Sequence, residues 1–348
     1  MENGITYRLA TNNDIDAINA LYNRVYERKR STEQFNWEFN SAPAGKAIYV
    51  IALDKEKVVG TQCAIPYFLI DTNNKKILSA KSEDTLVDPA YRGQNIFEKM
   101  YALLFEESKK ADIQLIWGFT YAVKPFKKLG FDIPFQSCLG ILVLKPGQAY
   151  SYLSGLNPKN KFIDKFKIFG LTYKSYFTSC FIKKPASKLR STTEKTVLNS
   201  ASVNYLSGIE STGLLLDESF LNYRLYNNPY SKNYFQFSLF ENEKLIFSAF
   251  YTINNGVGYI LHLYSKDKYE SKYVKQLLFE TGLKDCHTIR FWGFTHNAVS
   301  NKEIALLKQS GFTFVNRGIS FVVKTLDPKA NLPHNNWFVS RLASQGTD

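Results

Sequence analysis

Sulfur and histidine are scarce in this chain, which has two methionines, four cysteines and four histidines in 348 residues. Cys63, Cys138, Cys180 and Cys286 lie far apart and form no C-x-x-C pair, which excludes a zinc ribbon and a dithiol redox motif. Cys63, Cys138 and Cys286 sit in or beside apolar, strand-like surroundings and read as buried free thiols. His262, His287, His296 and His334 show no ligand spacing, so no metal is expected. No apolar run reaches the roughly 18 residues of a membrane span. Residues 1–10 lack the charged-then-apolar order of a secretory leader, and the expected address is cytoplasmic. Acidic residues are also in deficit: 31 Asp and Glu stand against 44 Lys and Arg, a net charge of +13. The excess is concentrated between Lys145 and Arg190, where ten cations accompany one acid, Asp164. Such a balance suits nucleic acid, an anionic membrane face or phosphate-bearing small molecules. No nucleic-acid motif accompanies the charge, so no DNA partner is expected.

What is present is aromatic and apolar material, with 27 Phe, 22 Tyr and 45% hydrophobic residues. That is enough for real cores, and the length suggests two domains. Asn12-Asn13-Asp14 offers a cap, after which Ile15, Ile18, Leu21, Tyr22 and Val25 recur at helical spacing. Residues 47–53 and 58–65 form a hairpin around the polar turn 54–57, and a third strand runs from about 77 to 87. Helical periodicity resumes through Ile96, Met100, Leu103 and Leu104. A strand follows at 112–119, then a short helix that stops at Gly130. Helix, hairpin, strand, loop, helix, strand and helix make an α/β arrangement on a mixed sheet.

The second half echoes the first. Residues 32–39 followed by Pro43 are echoed by residues 217–225 followed by Pro229, and the acidic-basic hairpin turn 54–57 by 241–244. Ile116-Trp117-Gly118-Phe119-Thr120 returns as Phe291-Trp292-Gly293-Phe294-Thr295, and Leu129-Gly130-Phe131 as Ser310-Gly311-Phe312. Four echoes in one order predict two copies of one fold. The expected boundaries are 1–144 for the first copy, 145–195 for a basic aromatic linker, and 196–348 for the second copy.

One turn carries chemistry. A strand ends near Pro89, passes through Arg92-Gly93-Gln94-Asn95 and feeds an amphipathic helix. Unpaired N–H groups at a helix start bind anions, Gly93 admits a phosphate close to the main chain, and Arg92 adds charge. The run Val87-Asp88-Pro89-Ala90-Tyr91-Arg92-Gly93-Gln94-Asn95-Ile96-Phe97 resembles motif A of the GCN5-related N-acetyltransferase (GNAT) superfamily, V-x-P-x-Y-R-G-x-G-I-G/A. The resemblance covers residues 5 to 135 approximately. It implies two tandem GNAT-like α/β domains, each a mixed twisted sheet flanked by helices, and acetyl-CoA as co-substrate. By the same resemblance, Thr85, Leu86 and Val87 would line the pantetheine arm, while Arg92, Gly93, Gln94, Asn95, Ile96 and Phe97 would wrap the pyrophosphate. Asn95 and Phe97 replace two family glycines. Asn tolerates left-handed backbone angles; Phe97 either narrows the site or faces the core. The second copy reads Leu263-Tyr264-Ser265-Lys266-Asp267-Lys268-Tyr269 at the matching place, without Arg-Gly. It is expected to be degenerate and to wall the acceptor cleft.

Attack by an amine on a thioester needs a base and an N–H donor for the oxyanion. The resemblance places that donor near Leu86 and Val87. Glu83 and Asp84 are the acid candidates, and strand alternation predicts that they face opposite ways. Phe126 stands where many members carry a proton-donating Tyr. Tyr121 is the substitute candidate, and an aromatic packing over the cleft is its plainer reading. His296 and Asn297 are candidate acceptor contacts. Residues 159–169 alternate cations with Phe and Ile. They read first as an amphipathic connector covering a domain, with peripheral docking on an anionic membrane as the alternative.

The resulting expectation is an acyl-CoA-dependent N-acetyltransferase acting on a small-molecule amine. An amino sugar or nucleotide-linked amino sugar of surface polysaccharide assembly is the acceptor that the resemblance suggests. The rivals are an aminoacyl-tRNA-dependent transferase of the peptidoglycan cross-bridge kind, and a binding module that has lost its cofactor site.

Overall fold

Asp14 closes the first strand and opens the first helix in the computed structural model. Its carboxylate accepts the Thr11 N–H and takes two 2.7 Å bonds from the Arg8 guanidinium. That grip on Arg8 holds the Asp14 carboxyl well below the ordinary carboxylate range. The structure describes residues 4–344 apart from 157–160, 186–188, 196–210, 231–232, 266–269, 296–297, 329, 331, 333, 335–336 and 340. Two units divide the chain. The first takes Met1–Pro134, Ile209–Ser231 and Ser320–Trp337; the second takes Phe135–Gly208, Lys232–Ile319 and Phe338–Asp348.

The sheet of the first unit runs β1 (Ile5–Leu9), β2 (Ile48–Asp54), β3 (Lys57–Ile70), β4 (Lys76–Val87), β5 (Leu115–Thr120) and then residues 320–325. Neighbours are antiparallel except β4 and β5, which are parallel. Lys55 at φ 54° turns β2 into β3. Asp71 ties the next turn by accepting the N–H groups of Asn73 and Lys75. A parallel pair needs a crossover, and helix α3 (Ile96–Lys110) supplies it. Its apolar face, through Ile96, Met100 and Leu104, is buried in one cluster with Val50, Val59 and Ala64. Each such side chain is worth about 1.5–3 kcal/mol of burial. Helices α1 (Ile15–Tyr26), α2 (Thr32–Phe35) and α4 (Val123–Lys128) complete this part, and α2 continues as a π-turn over Asn36–Asn40.

The second unit has a sheet of the same order and sense: Arg190–Glu194, Tyr234–Glu241, Lys244–Asn254, Val257–Ser265, Thr288–Phe294 and Gln136–Val143. Its parallel pair is Val257–Ser265 with Thr288–Phe294. Trp117 and Trp292 both lie on the fifth strand.

The units do not follow the linear boundaries 1–144 and 196–348. Gln136–Val143, expected in the first copy, completes the second unit by pairing antiparallel with Thr288–Phe294. Residues 320–325 and 209–231, expected in the second copy, belong to the first. Each sheet needs a last antiparallel strand to satisfy the N–H and C=O groups of its fifth strand, and each obtains it from the other half of the sequence. Residues 145–195, expected as a linker, are built into the second unit. They form α5 (Pro146–Gly155), α6 (Phe162–Ser179) and a strand, and Ser175 Oγ donates to the Ile141 carbonyl at 3.0 Å.

Candidate active site

The site of the first unit begins where two parallel strands part. β4 and β5 pair at Ser79–Leu115, Ala80–Ile116 and Lys81–Trp117, and the ladder ends there. β4 continues on β3 as far as Val87, so its main chain from Ser82 onward has an edge that β5 does not fill. Gly118 sits at the fork: a Cβ there would meet the Ser82 carbonyl oxygen at 3.1 Å, a contact the backbone could not relieve cheaply.

At the same place β4 bulges. Between Thr61–Leu86 and Cys63–Glu83 it carries one residue more than β3. Asp84 adopts φ 52°, a left-handed angle uncommon for a non-glycine residue. Thr61 Oγ1 donates to the Asp84 carbonyl at 2.8 Å, and the Thr85 hydroxyl donates to Gln62. The bulge removes the simple alternation expected of Glu83 and Asp84. Both act electrostatically on Tyr26, Cys63 and Glu38.

The carboxyls nevertheless have different partners. Asp84 is buried, 2.9 Å from the Arg30 guanidinium, and accepts the Tyr49 hydroxyl. Arg30 is also buried; its Nε donates to Asn19 at 2.7 Å, and its cation lies 4.0 Å from the Tyr22 ring centre. A carboxylate so held is a structural counter-ion rather than a free base. Glu83 is about a third exposed and pairs with the buried Lys81 ammonium.

Glu38, which sequence reasoning passed over, completes the cluster. It lies on the π-turn between the buried Trp37 and Phe39, a helical irregularity common at functional sites. One carboxylate oxygen accepts the Tyr230 hydroxyl at 2.9 Å, and the other is 3.6 Å from Arg30. Burial, aided by the Asp84 charge and opposed by Arg30, pushes the Glu38 carboxyl up to about 7. It can therefore take or give a proton near neutral pH. Tyr230 reaches it because Trp37 stacks on Tyr223 at 5.3 Å and donates to the Tyr223 carbonyl at 2.9 Å. A signal for Glu38 was present in the sequence. The echo of Trp37-Glu38-Phe39 is Tyr223-Arg224-Leu225, so an acid stands in one copy where the other has a cation. Tyr26 is a second missed candidate, a half-exposed side chain whose hydroxyl is pushed up to about 12 by partial desolvation and by the Asp84 charge.

The loop after β4 is tied down on one side and open on the other. Asp88 accepts the Ala90 N–H and pairs with Arg24 at 2.8 Å and Lys57 at 3.4 Å. Burial works against its charge, yet the Ala90 N–H and the two cations hold its carboxyl below the ordinary range. Tyr91 donates to Asp54 at 2.7 Å, fastening the loop to the hairpin. Arg92 is exposed. Gly93 has φ 82° with no atom within 4 Å of where a Cβ would stand, which leaves room for a ligand. Asn95 takes the left-handed angle at φ 58° and starts α3, whose first N–H groups have no intrahelical acceptor. Phe97 packs toward the core, 4.8 Å from Tyr101 and 5.7 Å from Phe126. The free β4 edge and this loop together suit a thioester with a pyrophosphate.

Of the other sequence-predicted residues, Leu86 is buried and Thr85 and Val87 half-buried. Tyr121 is 68% exposed, an outward position rather than a packed one over the cleft. His296 and Asn297, and the Lys266–Tyr269 run, lie outside the described residues. Among the described residues no cluster of His, Cys, Asp or Glu could hold a metal ion.

The model of the family described as Acetyltransferase (GNAT) domain matches residues 6–133. No curated protein matches the chain. A solved conserved protein of unknown function from Enterococcus faecalis V583, a probable N-acyltransferase, is similar with TM-score 0.63 at 12% identity, over 93% of this chain and 72% of that one. A GCN5-related N-acetyltransferase from Anabaena variabilis ATCC 29413 has TM-score 0.63 at 10% identity, covering 93% and 73%. Saccharomyces cerevisiae N-myristoyltransferase with bound myristoyl-CoA has TM-score 0.56 at 14% identity, covering 93% and 83%. At such identities the structures speak to the fold. The family match coincides with the segment that carries the forked strands and the Arg92–Asn95 loop. Residues 6–133 are an acetyltransferase domain of the GNAT family, a class that moves acyl groups from CoA thioesters to amines.

Proposed function

We propose that the first unit transfers an acetyl group from acetyl-CoA to the amine of a small molecule in the cytoplasm. The acceptor we infer is an amino sugar, free or nucleotide-linked, used in surface polysaccharide assembly. The observation that carries the reading is the pairing, within one unit, of an open anion-binding loop with a carboxyl poised near neutral pH. Arg92 and the first N–H groups of α3 hold the pyrophosphate, and the unfilled β4 edge at Leu86 and Val87 offers an N–H to the developing oxyanion. Glu38 takes the proton from the acceptor ammonium, so that a neutral amine attacks the thioester carbonyl. Asp84 pairs with Arg30, and its charge adds to the burial that raises Glu38 to about 7. As CoA departs, its thiolate takes a proton from solvent.

Thermal shift with acetyl-CoA, then thiol release against a panel of amino sugars and nucleotide amino sugars, tests this reading. Stabilisation by acetyl-CoA with amino-sugar-dependent thiol release supports it. Stabilisation without release for any amine would mark a binding module. Absence of stabilisation would remove the CoA assignment and favour a tRNA-dependent donor.

A further inference from the structure

Helix α6 (Phe162–Ser179) is amphipathic the wrong way out. The side it turns to its own unit carries Thr172 and Ser175, both buried, with Ser175 bonded to the strand Gln136–Val143. Leu171 and Tyr176 pack partly on the small cluster of Leu139, Ile141, Val143 and Ala149. The solvent side carries the rings. At about 100° per residue, Phe162, Phe166, Phe169, Tyr173 and Phe177 fall within an arc of about 80°. Phe162 is 86% exposed, Phe166 66% and Phe177 68%, and Phe181 continues the ridge past the helix end at 75%. The apolar face therefore does not cover a domain, which was the first reading of this segment.

Charge identifies what it faces. Lys165 borders the ridge on one side, and Lys167 and Lys174 on the other. Lys161, Lys183 and Lys184 stand at its ends, all six are exposed, and Asp164 is the one acid along the helix. A second copy laid on this ridge would bring like charges together. An aromatic stripe flanked by lysines instead suits the interface of an anionic bilayer, with rings at the acyl boundary and ammonium groups among phosphates. Among the described residues no helix is long and apolar enough to cross a membrane, so α6 would lie in the surface plane. We propose that the Phe162–Phe181 ridge docks the protein on an anionic lipid bilayer. The inference stands apart from the acyl-transfer reading, because none of these residues belongs to the site of the first unit.

The test is co-flotation of the full chain with vesicles of phosphatidylcholine alone or containing about one-third phosphatidylglycerol. Binding to the anionic vesicles, weakened by raising salt from about 0.1 M to about 1 M, is the expected result. Phe166→Asp with Phe177→Asp should lower partitioning at least about tenfold, and Lys165→Glu with Lys174→Glu should do the same. All these positions are exposed, so melting temperature and acetyl-CoA response should match the parent. Binding that ignores lipid charge, or that survives both double substitutions, overturns the proposal. So does an absence of vesicle binding combined with self-association that Phe166→Asp abolishes, which would assign the ridge to a second copy.

Discussion

The two sheets share strand order, sense and even an irregularity, and differ in what that irregularity carries. In the first unit the extra residue of the fourth strand falls at Asp84, with φ 52° and a buried ion pair to Arg30. In the second the register slips between Phe250 and Tyr251, so that Leu261 is the extra residue, buried and apolar, beside His262. Burial drives the His262 imidazole down to about 3, leaving it neutral. Both parallel pairs also stop short, at Lys81–Trp117 and at Ile260–Phe291. Topology thus makes the same fork twice. The chemistry comes from side chains placed on it and from the turn that follows the fourth strand.

Moving the second unit's chemistry into the first should give the largest effect. Asp84→Leu removes the nearer counter-ion of the buried Arg30 charge, leaving only Glu38 at 3.6 Å, and should cost about 3–5 kcal/mol in urea denaturation. A loss under about 1 kcal/mol would mean that the ion pair does not hold the bulge. At the loop, acetyl-CoA at about a hundred times its dissociation constant should stabilise the parent by about 2.7 kcal/mol. Arg92→Glu should remove most of that; an undiminished thermal shift would sink the loop assignment.

The base is tested by pH. Glu38→Gln should lower kcat/KM about a hundredfold and abolish the rate rise that the parent shows as pH increases through about 7. The sign for stability is opposite. The folded carboxyl titrates above its unfolded value, so its contribution is intact below about 4.5 and declines as pH rises through about 7. Glu38→Gln should therefore gain stability relative to the parent at pH 8, by at most about 3 kcal/mol, and lose that advantage at pH 4. A relative stability that does not change with pH would place the Glu38 carboxyl at its ordinary value. The smallest effect is expected from Tyr230→Phe, which removes a hydrogen bond favouring the charged form. The acidic limb of the rate profile should move upward by up to about one pH unit. Movement in the other direction would show that Tyr230 does not donate to Glu38.

Much of the local structure was legible in the residues. Helical spacing from Ile15 located α1, polar turns marked the hairpin, and Gly130 takes φ 77° after α4. Asn95 adopts the left-handed angle that its side chain tolerates. These outcomes depend on a few neighbours and on backbone sterics, which sequence states directly. The raised proton affinity of Glu38 was not legible, because it comes from burial and from Asp84, while Arg30 and Tyr230 oppose it, and both Asp84 and Tyr230 are distant in the chain. Nor was the locking of Asp84, since alternation fails wherever a strand gains a residue and only pairing with β3 shows the gain. The sequence by itself determined the elements, the position of the Arg92–Asn95 turn and the repeated order of strands. Tertiary structure decided which strand completes each sheet, which carboxyl is locked against Arg30 and which is raised toward neutral pH, and that α6 turns its rings outward, since each depends on groups far apart in sequence and on what burial does to charge and to apolar surface.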